Sequence, residues 1–157
     1  MNEIERLQKY LLLIRRTVGW SAEEFGERIG VTRQTINNIE AGRNKLTKTQ
    51  YIAMRSVLDA EIASFPGETE MLRLILDVFV DNPGNYKEED REKLLSQANM
   101  VTPSILAGAT TRKDVSKTLM VAAASMGIAL SALAVPISTG IIGSSAWIAK
   151  TLLGKKD

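Results

Sequence analysis

Between Gly19 and Gln50 the sequence is punctuated so closely that little except a series of short helices can form there. Ser21-Ala-Glu-Glu24 has the S-x-x-E form of a capping box, in which serine and glutamate satisfy each other's free backbone N–H groups. Gly30 sits where a helix-ending glycine belongs, Thr32 can cap the next helix, and Gly42 can stop it. Thr47-x-x-Gln50 is a second capping box. Helices this short do not persist alone in water, so their apolar faces must pack on neighbours. Those faces are Ala22, Phe25 and Ile29 on one helix, and Ile36 and Ile39 on the next. Upstream, Ile4, Leu7, Leu11, Ile14 and Val18 draw one stripe on a first helix ended by Gly19. Downstream, the helix opened by Thr47 is predicted to reach about Ala60 and to bury Ile52 and Leu58.

The chemistry open to the chain is narrow. It has no cysteine and no histidine, which excludes disulfides, thiolates and imidazole bases or ligands. No carboxylate pair stands in a Gly-rich or pocket-like context, so neither an enzyme nor a cofactor or metal site is expected. With 45% apolar and 5% aromatic residues and a helical period throughout the first half, the fold class is read as all-α.

Phe65-Pro66-Gly67 interrupts the pattern and sets a predicted boundary, giving domains at 1–65, 66–111 and 112–157. A fifth helix is predicted over Glu68–Val80. Its stripe of Met71, Leu72, Ile75, Val78 and Phe79 is too broad for a solitary surface helix, so it must pack on something. A loop at 81–85, a polar helix over about Lys87–Met100, a short turn from Thr102-Pro103 and a long helix capped by Thr111 follow.

Over 32–48 the charges are Arg33, Arg43, Lys45 and Lys48 against Glu40 alone, a positive face suited to a polyanion. Residues 6–61 resemble the lambda-repressor/Cro-like (Xre-type) helix-turn-helix family. The resemblance is carried by SAEEFGERIGVTRQTINNIEAG from Ser21 to Gly42, followed by Arg43-Asn44-Lys45. Phe25, Gly26, Gly30, Thr32, Glu40 and Gly42 fill the family's positions; Gly26 departs from the usual alanine. The resemblance implies a five-helix DNA-binding domain that reads double-stranded DNA as a homodimer on a palindromic operator and regulates transcription as a repressor-type protein. It also implies roles. A helix in the major groove reads base edges near its N-terminus, which assigns base contacts to Arg33, Gln34, Asn37 and Asn38. Phosphate contacts fall to Arg15, Ser21, Thr32, Thr35, Arg43, Asn44 and Lys45, with Arg15 paired to Glu40. The alternative is a scaffold protein that uses the same fold for protein contacts.

From Thr118 to Ala149 no residue is charged, a run of 32 positions. A helix apolar all round must be covered by protein or by lipid. Residues 112–157 are therefore expected to form an apolar helical hairpin bent near Pro136, acting either as a buried oligomer core or as a membrane element at 118–149. Ala123, Gly127 and Ser131 recur at the spacing of close helix packing. Basic residues flank both ends, with Arg112, Lys113 and Lys117 before the run and Lys150, Lys155 and Lys156 after it. They place both flanks on the cytoplasmic side. The expected location is the cytoplasm, at the inner face of the cell membrane where the membrane reading holds.

Overall fold

The computed structural model describes residues 1–126, and the fold over them is all-helical. The first helix is distorted at one residue, giving α1 (Glu3–Lys9) and α2 (Leu11–Val18). Tyr10 sits between them at φ −104°, ψ 12°. Its N–H still reaches the Arg6 carbonyl at 3.2 Å, and its own carbonyl accepts from Ile14 at 2.9 Å. The predicted stripe holds across the break, with Leu7, Leu11, Ile14 and Val18 buried and Ile4 half-buried.

The capped segments fold as their local chemistry dictates. α3 (Ala22–Ile29) opens on the Ser21/Glu24 capping box, and α4 (Arg33–Glu40) opens on Thr32, whose hydroxyl accepts from the Thr35 N–H. α5 (Lys48–Ser64) opens on the Thr47/Gln50 box. Its inward face is Tyr51, Met54, Arg55 and Leu58, and Ile52 is only half-buried. Arg55 hides this face from a reading of apolar residues alone. It is 5% exposed and paired to Asp81 (Nη2 to Oδ2, 3.0 Å) and Asp59 (3.6 Å). Burial by itself would lower the Arg55 pKa; the two carboxylates outweigh it and hold the guanidinium charged.

Beyond a short 3-10 turn at Pro66–Glu68 the chain enters α6 (Glu70–Leu76), which widens into a π-helical turn at Asp77–Asp81. Eight apolar residues from Met71 to Val80 are buried here: Met71, Leu72, Leu74, Ile75, Leu76, Val78, Phe79 and Val80. What covers them is the first helix pair and the last described helix. α6 packs on α2, the π turn packs on α1, and Phe79 stacks on Tyr10 with ring centroids 4.8 Å apart. A single buried apolar cluster therefore runs from Leu7 through Leu58 to Ala123, and the Phe65–Gly67 break turns the chain without dividing the core.

α7 (Glu88–Val101) buries only Leu94 and Ala98, and the short α8 (Pro103–Leu106) follows it. α9 (Arg112–Ser125), capped by Thr111 as predicted, lays Val115, Ser116, Leu119 and Ala123 against α6. Its Ser116 hydroxyl accepts the Met71 N–H at 3.0 Å, serving one of the free donors that opens α6. Two features around the uncharged run are fixed here. Ala123, at 0% exposure, is already used by the chain's own core. Arg112 is not a free flanking charge: it pairs with Glu61 (3.2 Å) and Glu68 (3.0 Å) and lies over the Phe65 ring. Among the described residues no helix is long and apolar enough to cross a membrane. The expected hairpin at Pro136, with Gly127 and Ser131, lies outside the described residues.

Candidate nucleic-acid interface

α3 and α4 meet through a turn built on two glycines. Gly30 ends α3 at φ +78°, a left-handed conformation that glycine adopts without steric cost. Its N–H and that of Val31 (2.9 Å) both fold back on the Gly26 carbonyl. Gly26 is needed for a different reason. A Cβ there would stand 2.6 Å from the Val31 carbonyl oxygen and 3.3 Å from the Thr32 carbonyl carbon and oxygen. The chain entering α4 thus crosses α3 more closely than any side chain at position 26 permits.

α4 is pinned by Ile36 (0% exposed) and Ile39 (1%), so the opposite arc of the helix faces outward. Arg33 and Gln34 are exposed on its first turn, with Asn37 and Asn38 half-buried one turn on. Gln34, Asn38 and the loop residue Arg43 form a connected set. Gln34 Nε2 donates to Asn38 Oδ1 at 3.1 Å, and Arg43 Nη1 donates to the same oxygen at 3.3 Å. With its oxygen so used, Asn38 has only its amide N–H groups left for a further partner. Gln34 keeps its carbonyl oxygen and one N–H, the pair that matches the adenine edge in the major groove.

The residues assigned to phosphates occupy three surface places and one interior site. Ser21 caps α3, accepting from the Glu24 N–H at 3.0 Å. Thr32 and Thr35 share a hydroxyl contact at 3.0 Å where α4 begins. Arg43, Asn44 and Lys45 are exposed on the loop after α4, where the Arg43 and Asn44 N–H groups bond the Asn38 carbonyl at 2.9 and 3.3 Å. Arg15 is set apart from them. It is 8% exposed, forks onto Glu40 (Nε to Oε2 2.7 Å, Nη2 to Oε1 3.0 Å) and donates from Nη1 to the Trp20 carbonyl at 3.1 Å. The pair ties the end of α4 to α2. It also neutralises the one acidic side chain of residues 32–48, leaving Arg33, Arg43, Lys45 and Lys48 to set the local potential.

One contact was not foreseen from sequence. Gln8, on α1, reaches the loop after α4 with all of its polar atoms. Its bonds span 31 to 38 positions of sequence, and no local signal in the chain announces them.

No curated protein and no solved structure matches the chain. A family model does: the one described as Helix-turn-helix matches residues 11–65, a segment that contains α2 to α5. Over that segment, about a third of the chain, it is similar to the lambda-repressor-like helix-turn-helix family of DNA-binding domains.

Proposed function

We propose that the protein is a sequence-specific transcriptional regulator that binds a palindromic operator in double-stranded DNA as a homodimer, in the manner of a repressor. The observation that carries this reading is the first turn of α4. Arg33 and Gln34 stand exposed there while Ile36 and Ile39 fix the helix from behind. Arg33, Gln34, Asn37 and Asn38 read base edges, and Ser21, Thr32, Thr35, Arg43, Asn44 and Lys45 hold the sugar-phosphate backbone. Arg15 acts through Glu40 on the pose of α4. Self-association belongs to the uncharged residues 118–149, as a buried core or at the inner face of the cell membrane, in a protein of the cytoplasm. Competition binding of the full chain to duplex DNA between 50 and 200 mM salt tests the reading. Several phosphate contacts make affinity fall by about a hundredfold or more over that range. Binding absent at low salt, or indifferent to salt, would assign the domain to protein contacts instead.

A further inference from the structure

We infer that Gln8 is the positioning residue for the phosphate-facing loop between α4 and α5, an inference that rests on the DNA-binding reading above. Gln8 Nε2 donates to the Asn44 carbonyl at 2.7 Å and to the Ile39 carbonyl at 3.0 Å, while Oε1 accepts the Leu46 N–H at 3.0 Å. The Asn44 carbonyl and the Leu46 N–H belong to the two peptide groups on either side of Lys45. One side chain therefore grips both peptides that define the Lys45 backbone. A trans peptide points its C=O and N–H in opposite directions. With the Asn44 carbonyl turned in to Gln8, the Lys45 N–H is turned outward, beside its own exposed side chain. Backbone N–H groups presented this way are common phosphate donors. The third bond joins the Gly42 N–H (3.1 Å) on the Ile39 carbonyl at the end of α4, so recognition helix and loop share one tether.

A tether works only from a fixed base, and α1 is fixed on three sides. Leu7 is fully buried, Glu3 accepts from the Tyr51 hydroxyl at 3.2 Å on α5, and Arg6 Nε donates to the Val80 carbonyl at 2.7 Å on the π turn. Without Gln8, the loop is held on its α4 side by the Asn38 carbonyl and at its far end by Leu46, which is 6% exposed. Lys45 then has no bond fixing either flanking peptide. The consequence is specific: Gln8 governs how well the backbone of DNA is held, and the readout of bases on the first turn of α4 is left as it is.

The test uses the full chain with Gln8→Met, which keeps length and packing but removes all three bonds. Gln8→Glu is a second variant; it can still accept from Leu46 but sets a carboxylate against two carbonyls. The DNA probes are a duplex selected from a random pool by the parent and a scrambled duplex of equal length. Both variants are expected to keep the parent's cooperative unfolding, and Gln8→Met, which loses the acceptor, to exchange the Leu46 amide at least tenfold faster. They should lose affinity for both duplexes by a similar factor, about tenfold at low salt, with the salt slope shallower by about 1. The single-base preference profile should stay as in the parent. A Leu46 amide exchanging at the parent's rate in Gln8→Met, or a variant that binds both duplexes with the parent's affinity and slope, would overturn the assignment. Loss confined to the selected duplex would overturn it too, making Gln8 a support of base readout. A parent that binds neither duplex overturns the DNA reading itself, and is told apart because the failure precedes any substitution.

Discussion

In α3 and α4 the core takes Ala22, Phe25, Gly26, Ile36 and Ile39, and the other residues of those helices are exposed or half-buried. In α6 and the π turn behind them, eight apolar residues between Met71 and Val80 are buried and the polar ones are few. The first region is shaped by caps, glycine stops and one ion pair; the second is shaped by being surrounded. The contrast bears on the proposed function because α3 and α4, to which the DNA contacts are assigned, are too short to hold their own position. Their stiffness is borrowed through α1 and α2, which touch the recognition elements by way of Gln8 and Arg15 and the buried helix by way of Tyr10 and Arg6. α6 and the π turn brace the helices in front of them, and α9, tied to α5 and the 3-10 turn by Arg112, closes that brace.

The largest effect should come from breaking the brace. Phe79→Ala removes a ring that is 2% exposed and stacked on Tyr10, and should cost about 3–5 kcal/mol. If the two regions share one core, urea unfolding stays a single transition and the amides of α2 lose protection together with those of α6. Parent-like protection in α2 would separate the regions and make the helix-turn-helix segment an independent unit.

Next is the ion pair that does the same work from the front. Arg15→Ala leaves the Glu40 carboxylate buried without its partner, at a cost of about 3 kcal/mol. Arg15→Met combined with Glu40→Leu should return most of that stability, because the desolvation of two charges is then avoided. The double variant also sharpens the role of Arg15. DNA binding with the parent's salt slope marks a clamp, whereas a slope shallower by about 1 marks a phosphate contact.

A third effect concerns the exposed arc alone. Gln34→Ala should leave stability unchanged and cost about 1–3 kcal/mol on the preferred duplex, with specificity relaxed at one base pair. Arg43→Ala should weaken all duplexes alike and shallow the salt slope by about 1. Because Arg43 and Gln34 meet on the same Asn38 oxygen, the contrast between them is informative. A base-specific loss in Arg43→Ala would make the loop part of the reading surface.

What was legible in the sequence was legible because it is local. Ser21 and Glu24, Thr32 and Thr35, Thr47 and Gln50, and Thr111 and Asp114 are each three residues apart, and the structure closes every one of these caps. The outward placement of Arg33 and Gln34 followed from the helical period once Thr32 was fixed as the cap. Contacts of long sequence separation were out of reach. Gln8 looks like any polar residue on a helix, and Arg55 reads as surface until Asp81, 26 residues on, supplies its partner. Nor could periodicity say that α6 would loosen into a π turn after Leu76. There the Tyr86 hydroxyl bonds Asp77, and burial together with that bond pushes the phenol well above its usual range.

The smallest predicted effect tests whether the reading head was shaped locally after all. By helix propensity, Gly26→Ala should stabilise α3 by about 1 kcal/mol. The structure opposes this, because the new methyl would lie 2.6 Å from the Val31 carbonyl oxygen, a backbone atom that cannot rotate away. That oxygen belongs to the turn leading directly into Thr32, so relief requires the N-terminus of α4 to move off α3. Overpacking of this kind costs about 1–3 kcal/mol, which outweighs the gain in propensity and leaves a net loss of about 1 kcal/mol. The displaced end of the helix is the one bearing Arg33 and Gln34, so discrimination between the selected and scrambled duplexes should narrow more than overall affinity falls. Thermal unfolding and competition binding on the same preparation read both quantities. A Gly26→Ala chain more stable than its parent, with discrimination intact, would mean that the close crossing of α3 and α4 is a consequence of glycine at this position and not a requirement for placing the recognition helix.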